Sequence, residues 1–282
     1  MTKNKKVKIG ISIAIISLIV LSSVFIASAF VLNRPAMSSI SFKGYDDGIK
    51  LADRNGNYTS LNINKQLNAD FSLELNNVYL GIKRIIISYT LTSKGGKIPS
   101  DYKNEEISNK CSISIDGKKY DIVDVTLASN VIEGGTLEGA LLLDESNYGT
   151  DFVLSENSVF NVSFNNLLNI NKDIDFEFQV DMPNISKDQI NFDFKYKNKK
   201  YTIKSIELDS ITTTLNFSKA VNIKDMKIVQ NNETYDAITV SNKGQHYISF
   251  PAVQRGIPFT IYIGNEKLHT STHERIYAHT FD

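Results

Sequence analysis

The chain has 282 residues, 41% of them hydrophobic, and its 31 basic and 31 acidic residues give a formal net charge of zero. Because four of the lysines lie within the first eight residues, the rest of the chain is mildly acidic. This balance argues against a nucleic-acid partner, since nucleic-acid-binding proteins present basic surfaces. The single cysteine, Cys111, excludes an intramolecular disulfide.

An uncharged hydrophobic segment, Ile9 to Leu32, follows a lysine-rich flank at the N-terminus. A membrane-spanning helix needs about 17–25 residues, whereas the hydrophobic region of a cleaved signal peptide has about 7–15. The length favours an uncleaved anchor, and the positive-inside rule predicts a cytoplasmic N-terminus with the bulk of the chain outside. Cleavage after Ala29 remains an alternative, because Ala27-Ser28-Ala29 has the small-x-small pattern of a signal peptidase site.

Small residues recur on one face of this predicted helix. Gly10 and Ala14 are four residues apart, and Ser17 lies near the same face. Such a pattern lets two membrane helices approach closely. We therefore predict a helix-pairing face at Gly10, Ala14 and Ser17. The predicted segments before the β domains are a cytoplasmic tail at 1–8, the membrane anchor at 9–32 and a connector at 33–50.

After the connector, apolar residues recur mainly at every second position, which is typical of strands with one buried face. Clear examples are the runs Phe160-Val162-Phe164, Phe176-Phe178-Val180, Phe192-Phe194-Tyr196 and Phe259-Ile261-Ile263. Many short strands separated by turns predict an all-β fold of antiparallel sandwiches. Two short segments, LADRNGN and ISKDQI, are predicted to form a turn or two of helix.

Two turns are predicted from their residues. Asp116-Gly117 lies between two strand-like runs and favours a type I′ hairpin, which needs positive φ at both central positions. The segment KYKNKKYTI, with Asn198 at its centre, predicts a second hairpin.

The exported part is long enough for two domains of ordinary size. Strand alternation is interrupted around Pro183, in VDMPNISKDQINF. The predicted boundary lies near Asn184, with a first β domain at 51–183 and a second at 190–282.

Candidate catalytic and metal-binding patterns are weak. His269 and His273 have the i, i+4 spacing of a helical metal site, but Thr270 occupies the position where a zinc protease carries glutamate. We therefore expect both histidines to be exposed polar residues on a terminal strand. The segment DRNGN does not fit the register of a calcium-binding loop, and we expect a turn there. Cys111 is expected to be a half-buried residue at the start of a strand.

The segment DGIKLADRNGNYTSLNINKQLNADFSLELNNVYLGIKRIIISYTL resembles the start of an exported domain of Gram-positive bacteria, the domain of unknown function 4179. GGTLEGALLLD and DIDFEFQVD resemble its later part, and KYTIKSIELDSITTTLNFS resembles the immunoglobulin-like module that often follows it. The resemblance implies two immunoglobulin-like sandwich domains behind one transmembrane helix. In that family an anti-sigma-factor-like region often precedes the helix. Because the predicted cytoplasmic tail here is only 1–8, we expect any such regulation to pass through a partner protein.

Two functional hypotheses follow. The first is a membrane-anchored extracytoplasmic binding or sensing protein without catalytic activity or cofactors, whose partner is another membrane protein or a wall-associated protein. The alternative is an exported hydrolase-like enzyme with a dispersed active site. A deep pocket with clustered carboxylates or histidines would favour the enzyme.

Overall fold

The computed structural model describes residues 46–98, 110–120, 124–127, 135–144, 154–181, 185–240 and 246–271. Within these ranges the fold is all-β, with one α-helix, one short 3₁₀ helix and four antiparallel sheets. The predicted all-β class is therefore confirmed.

The first half of the described chain starts with the helix α1, Asp46–Asn55. The strands that follow are β1 (Thr59–Gln66), β2 (Phe71–Leu80), β3 (Arg84–Ser93), β4 (Cys111–Ile115), β5 (Lys118–Tyr120), β6 (Asp124–Leu127), β7 (Thr136–Asp144), β8 (Ser158–Phe164) and β9 (Ile174–Val180). The 3₁₀ helix, Leu167–Asn169, lies between β8 and β9.

The second half consists of strands in its described part. They are β10 (Ser186–Tyr196), β11 (Lys199–Leu208), β12 (Thr212–Phe217), β13 (Met226–Gln230), β14 (Glu233–Asp236), β15 (Thr239–Val240), β16 (Tyr247–Pro251), β17 (Phe259–Ile263) and β18 (Glu266–Ser271).

The strands form two pairs of sheets. In the first half, the first sheet has the order β1-β2-β3-β7-β6 and the second has the order β5-β4-β8-β9. In the second half, the third sheet has the order β10-β11-β12-β16-β15 and the fourth has the order β14-β13-β17-β18. No sheet combines strands from both halves in the described ranges.

Each pair of sheets encloses one hydrophobic core, the arrangement of a sandwich. The first core takes alternate residues of both its sheets, for example Ile85 and Ile87 from β3 and Phe160 and Val162 from β8. The second core is built in the same way by the third and fourth sheets, with Leu215 from β12 and Ile261 from β17. The alternation in the sequence predicted these buried faces.

A third, smaller cluster joins the two halves. It contains Ile49 and Ala52 of α1, together with residues on the outer face of the first sheet, and Ile211 from the second half. Ile86 belongs to it, whereas its neighbours Ile85 and Ile87 face the first core, as expected for successive residues of a strand. The helix therefore covers the outer face of the first sheet and also contacts the β11–β12 hairpin.

Both predicted hairpins are confirmed. Asp116 and Gly117 have φ of 50° and 80° between β4 and β5, and Lys197 and Asn198 have φ of 49° and 62° between β10 and β11. These positive values are those that a type I′ turn requires.

Of the two predicted helical segments, only LADRNGN is helical, since it overlaps the end of α1. The prediction for ISKDQI is wrong, because Ser186 begins β10 and pairs with Leu208 of β11. Ile190 packs against the second core, so tertiary burial overrides the local helical preference. The helix α1 also begins at Asp46, within the segment assigned to the connector.

Candidate functional site

A cleft of about 380 Å³ lies between α1 and the β13–β14 hairpin. Seven residues line it: Asp47, Lys50, Leu51 and Arg54 from the helix, and Glu233, Thr234 and Tyr235 from β14. The volume is near the lower end of the usual range for ligand pockets, about 300–1,000 Å³. The cleft therefore suits a small molecule or a short part of a larger one.

The amphipathic pattern of α1 provides one wall. Ile49 and Ala52 are fully buried, which leaves Asp47, Lys50 and Arg54 exposed on the opposite side of the helix. This polar side faces the cleft.

The end of α1 is fixed by a Schellman motif. Gly56 has φ of 67°, its N–H donates to the carbonyl oxygen of Asp53 at 3.3 Å, and the N–H of Asn57 donates to that of Ala52 at 2.8 Å. Glycine is favoured at this position because a Cβ is strained at positive φ. The segment DRNGN is thus the end of the helix, where a turn was predicted, and only Gly56 lies in a turn.

Two contacts hold the helix in place. The hydroxyl of Tyr79, a fully buried residue of β2, donates a hydrogen bond to Asp53. Burial and this bond raise the pKa of Tyr79 above its ordinary value. At the other end of the helix, a Cβ on Gly48 would overlap the carbonyl oxygen of Ile211. The helix therefore lies against both halves of the chain.

The β13–β14 hairpin provides the second wall. Asn231 and Asn232 form its turn, with φ of 51° and 66°. Behind the turn, the buried side chain of Gln230 donates to the carbonyl oxygens of Gln254 and Ile257 at 2.9 and 2.8 Å, and accepts from the N–H of Gln254 at 2.7 Å. Tyr235 packs partly on the second core. The hairpin is thus tied to its sandwich by side-chain as well as backbone bonds.

Burial and a hydrogen bond raise the pKa of the Tyr235 phenol. Its hydroxyl donates to a carboxylate oxygen of Glu233 at 2.8 Å. Partial burial, this bond and the nearby charge of Asp47 raise the pKa of Tyr235 to about 12, although Arg54 acts in the opposite direction. At neutral pH the phenol is a hydrogen-bonding group with a ring face, and its protonated state leaves it unable to act as a base.

A second polar group, centred on Asp209, lies between the two sandwiches. Asp209 is fully enclosed at the β11–β12 turn, and its carboxylate accepts from the N–H groups of Ile211 and Thr212 at 2.9 and 2.7 Å and from the Thr212 hydroxyl at 2.7 Å. The N–H of Ile82, in the β2–β3 turn of the first sheet, donates to the same carboxylate at 2.7 Å.

Neighbouring residues strengthen this Asp209 junction. The Ser210 hydroxyl donates to the carbonyl oxygen of Leu80, and the Lys83 ammonium lies 5.0 Å from the ring centre of Tyr247. Burial raises the pKa of Asp209, and the hydrogen bonds offset this only in part. Because four donors already occupy its carboxylate, Asp209 has a structural role.

Of the two histidines predicted as exposed polar residues, His269 and His273, only His269 lies within the described residues. His269, on β18, is half-buried, its ring centre lies 5.0 Å from that of Phe192 with the two rings tilted by 43°, and burial lowers its pKa. His269 therefore differs from the prediction, whereas His273 and His279 lie outside the described residues. In the described ranges, no three His, Cys, Asp or Glu side chains come together as a metal-binding group.

The remaining predicted residues fall into two groups. Cys111 begins β4 and is half-buried as predicted, and burial raises its pKa. Gly10, Ala14 and Ser17 lie outside the described residues, as does Pro183. None of the helices in the described part of the chain has the length and hydrophobicity of a membrane span.

Sequence reasoning missed the cleft. Lys50 and Arg54 have the i, i+4 spacing of one helix face, which was a usable signal. Nothing in the segment ETYD indicated that Glu233 and Tyr235 would face this helix, because that proximity depends on how the two sandwiches pack.

Comparisons with known proteins add little. No protein-family model matches the chain, and no curated protein matches it. One similar solved structure is a conserved domain protein from Bacillus anthracis, with 11% identity and a TM-score of 0.44 over 72% of this chain and 76% of the other. Another is SGBP-B from the mixed-linkage glucan utilization locus of Bacteroides ovatus, in complex with a mixed-linkage heptasaccharide, with 12% identity and a TM-score of 0.16 over 70% of this chain and 53% of the other. Likenesses this weak carry no argument about function.

Proposed function

We propose that the chain is a membrane-anchored extracytoplasmic binding or sensing protein without catalytic activity, and that its ligand binds in the cleft between α1 and the β13–β14 hairpin. The observation that carries this proposal is the cleft itself, which brings charged side chains and a partly exposed tyrosine ring together from two separate elements. Such convergence of a few polar groups on a concave surface is typical of binding sites.

The chemistry of the cleft supports binding. Arg54, Lys50 and Thr234 offer hydrogen-bond donors, and Asp47 and Glu233 offer acceptors. The protonated phenol of Tyr235 adds a hydrogen-bonding group and a ring face. These groups can bind a polar ligand through hydrogen bonds and opposite charges.

The proposed location depends on the N-terminal segment. We assign Ile9 to Leu32 to a single-pass anchor, with 1–8 in the cytoplasm and the β domains outside. We also assign the two sandwiches to immunoglobulin-like domains, at 51–183 and 190–282, of the kind found in the exported parts of anti-sigma-factor-like membrane proteins. The basis is the charge-free length of the segment and the strand patterns of the sequence.

We also propose that a second protein carries a signal from the cleft to the cytoplasm. We propose that Gly10, Ala14 and Ser17 pair with a membrane helix of that partner or of a second copy. Replacing Gly10 and Ala14 with leucine would keep the segment hydrophobic but fill the groove between the helices. Unchanged membrane crosslinking in this variant would leave the segment as a tether only.

The cleft is tested by a ligand-observed NMR screen of the purified full chain in mild detergent. The compounds represent four classes: neutral sugars, carboxylates, amines, and zwitterionic amino acids or peptides. We expect at least one class to bind and that binding to be lost in Thr234→Trp, which fills the cleft. Gln179→Trp, at an exposed position of β9 outside the cleft, is the matched control.

Three results would contradict the proposal. The first is the absence of binding by all four classes, and the second is binding that Thr234→Trp leaves unchanged. The third is release of a chemically altered compound, which would establish the alternative of an exported enzyme.

A further inference from the structure

Arg54 on one wall of the cleft and Glu233 on the other carry opposite charges. Within the cleft, Lys50 pairs with Asp47 at 3.6 Å, so these two charges cancel locally. Arg54 on α1 and Glu233 on β14 make no ion pair with each other among the described side chains. One cationic and one anionic group therefore remain available on facing walls.

The hydrogen bonding of Glu233 orients its charge. The neutral phenol of Tyr235 donates to one carboxylate oxygen at 2.8 Å, which holds the carboxylate beside the ring without removing its negative charge. A ligand cation at this position would meet both a carboxylate and an aromatic face, and both attract ammonium groups.

The guanidinium of Arg54 presents a complementary site for an anion. Its planar fork matches a carboxylate, which it can bind through two parallel hydrogen bonds. The four charged side chains of the lining sum to zero, so a ligand with a large net charge of either sign would gain little. A ligand carrying one charge of each sign would satisfy both walls.

We propose that the cleft binds a small zwitterion, an amino acid or short peptide with a free ammonium and a free carboxylate. This inference rests on the proposed function and names its ligand class. The carboxylate lies at Arg54, and the ammonium lies at Glu233 and the Tyr235 ring. The volume of about 380 Å³ limits the ligand to a small size, and Leu51 offers an apolar surface to its side chains.

The test uses the dipeptide alanylalanine and three blocked forms: N-acetylated, C-amidated, and blocked at both ends. Binding to the full chain is measured by ligand-observed NMR titration at low salt. We expect the free dipeptide to bind about tenfold more tightly than either singly blocked form, since loss of one charge-assisted contact corresponds to about 1.4 kcal/mol. The doubly blocked form should bind most weakly.

Variants assign each end of the dipeptide. Arg54→Gln should abolish the preference for a free carboxylate and retain the preference for a free ammonium, whereas Glu233→Gln should do the reverse. Lys195→Gln and Glu266→Gln change the same charges at exposed positions outside the cleft and should alter neither preference.

The outcomes separate this inference from the proposed function. Equal binding of all four forms, or binding of neutral sugars alone, would overturn the proposal of a zwitterionic ligand. If Thr234→Trp still abolished that binding, the cleft would remain the binding site. A preference for free ends that survives both Arg54→Gln and Glu233→Gln would also overturn it. Failure of all compound classes would overturn both proposals.

Discussion

Asparagine and glycine hold most of the backbone positions with positive φ. Among the described non-glycine residues with positive φ, eight are asparagines: Asn62, Asn157, Asn166, Asn169, Asn191, Asn198, Asn231 and Asn232. Their short polar side chains tolerate the left-handed region better than other side chains do. The high asparagine content of this chain therefore serves its turns and bulges, including the turn that bears the cleft wall.

Gly117 offers a clean test of this backbone requirement. Its φ is 80° and nothing would contact an added Cβ, so Gly117→Ala changes only the backbone energy. We expect a loss of about 1–2 kcal/mol in the free energy of unfolding. Gly95→Ala is the control, because Gly95 lacks positive φ and a Cβ there would meet only Ser93 Oγ at 3.9 Å. Urea denaturation followed by circular dichroism measures both, and an equal loss in the two variants would refute the prediction.

Residue patterns predicted the hairpin turns but not the bulges. Asp116-Gly117 and Asn198 lie between strands of alternating pattern, so their turns were visible in the sequence. Asn62 and Asn191 lie inside strands, at positions where the strand register shifts. The shift at Asn62 lies between Ser60 and Ile63, and the shift at Asn191 lies between Gln189 and Phe192. A bulge depends on the partner strand, and no local pattern reveals it.

At the scale of elements, α1 and two turns connect the sandwiches. The helix contacts the first sheet through Tyr79 and the second half through Gly48. The β2–β3 turn meets the β11–β12 turn at Asp209. The cleft is built from elements anchored on different cores, so its width depends on these junctions. Alternation in the sequence predicted which strand faces are buried, but it contained no information on which turns would meet.

Asp209→Ala should be strongly destabilising. The substitution removes the acceptor of three backbone N–H groups and the Thr212 hydroxyl in a buried place. Each unsatisfied buried donor costs about 1–3 kcal/mol, and we expect a total loss above about 3 kcal/mol. Guanidinium denaturation followed by circular dichroism provides the measurement.

Asp193→Ala is the control for this prediction. Asp193 is an exposed residue that also accepts hydrogen bonds, from Thr202 at 2.6 Å, and pairs with Lys200 at 2.8 Å. Exposed ion pairs contribute about 0–1 kcal/mol, so a small effect is expected. A loss in Asp209→Ala no greater than in Asp193→Ala would show that the junction contributes little.

At the scale of the whole molecule, the described chain consists of two cores and a smaller cluster that bridges them. This bridge contains residues from α1, from the first sheet and from Ile211. The proposed domain boundary near Asn184 stays a prediction. So does the anchor, since Ile9 to Leu32 lies outside the described residues.

The anchor prediction concerns where the mature chain is found. We expect the full chain to stay in the membrane fraction after an alkaline wash, with its N-terminal peptide intact by mass spectrometry. Replacing Ile15 and Leu21 with arginine should prevent insertion, because each charge at the centre of a span costs about 2.5–3.5 kcal/mol. Replacing them with valine is the control. A mature protein that begins at Phe30 and is free in the medium would support cleavage after Ala29 instead.

The Asp209 junction makes two distant parts of the gene product depend on each other. Ile82 and Asp209 are 127 positions apart, and a Cβ on Gly81 would come within 2.9 Å of the Asp209 carboxylate. A side chain at position 81 would therefore crowd Asp209, and without Asp209 the close approach of Gly81 is no longer needed. We expect Gly81 and Asp209 to covary among homologues. A search that requires this pair, at variable separation, would recognise descendants of the two-sandwich arrangement after most other identity has been lost.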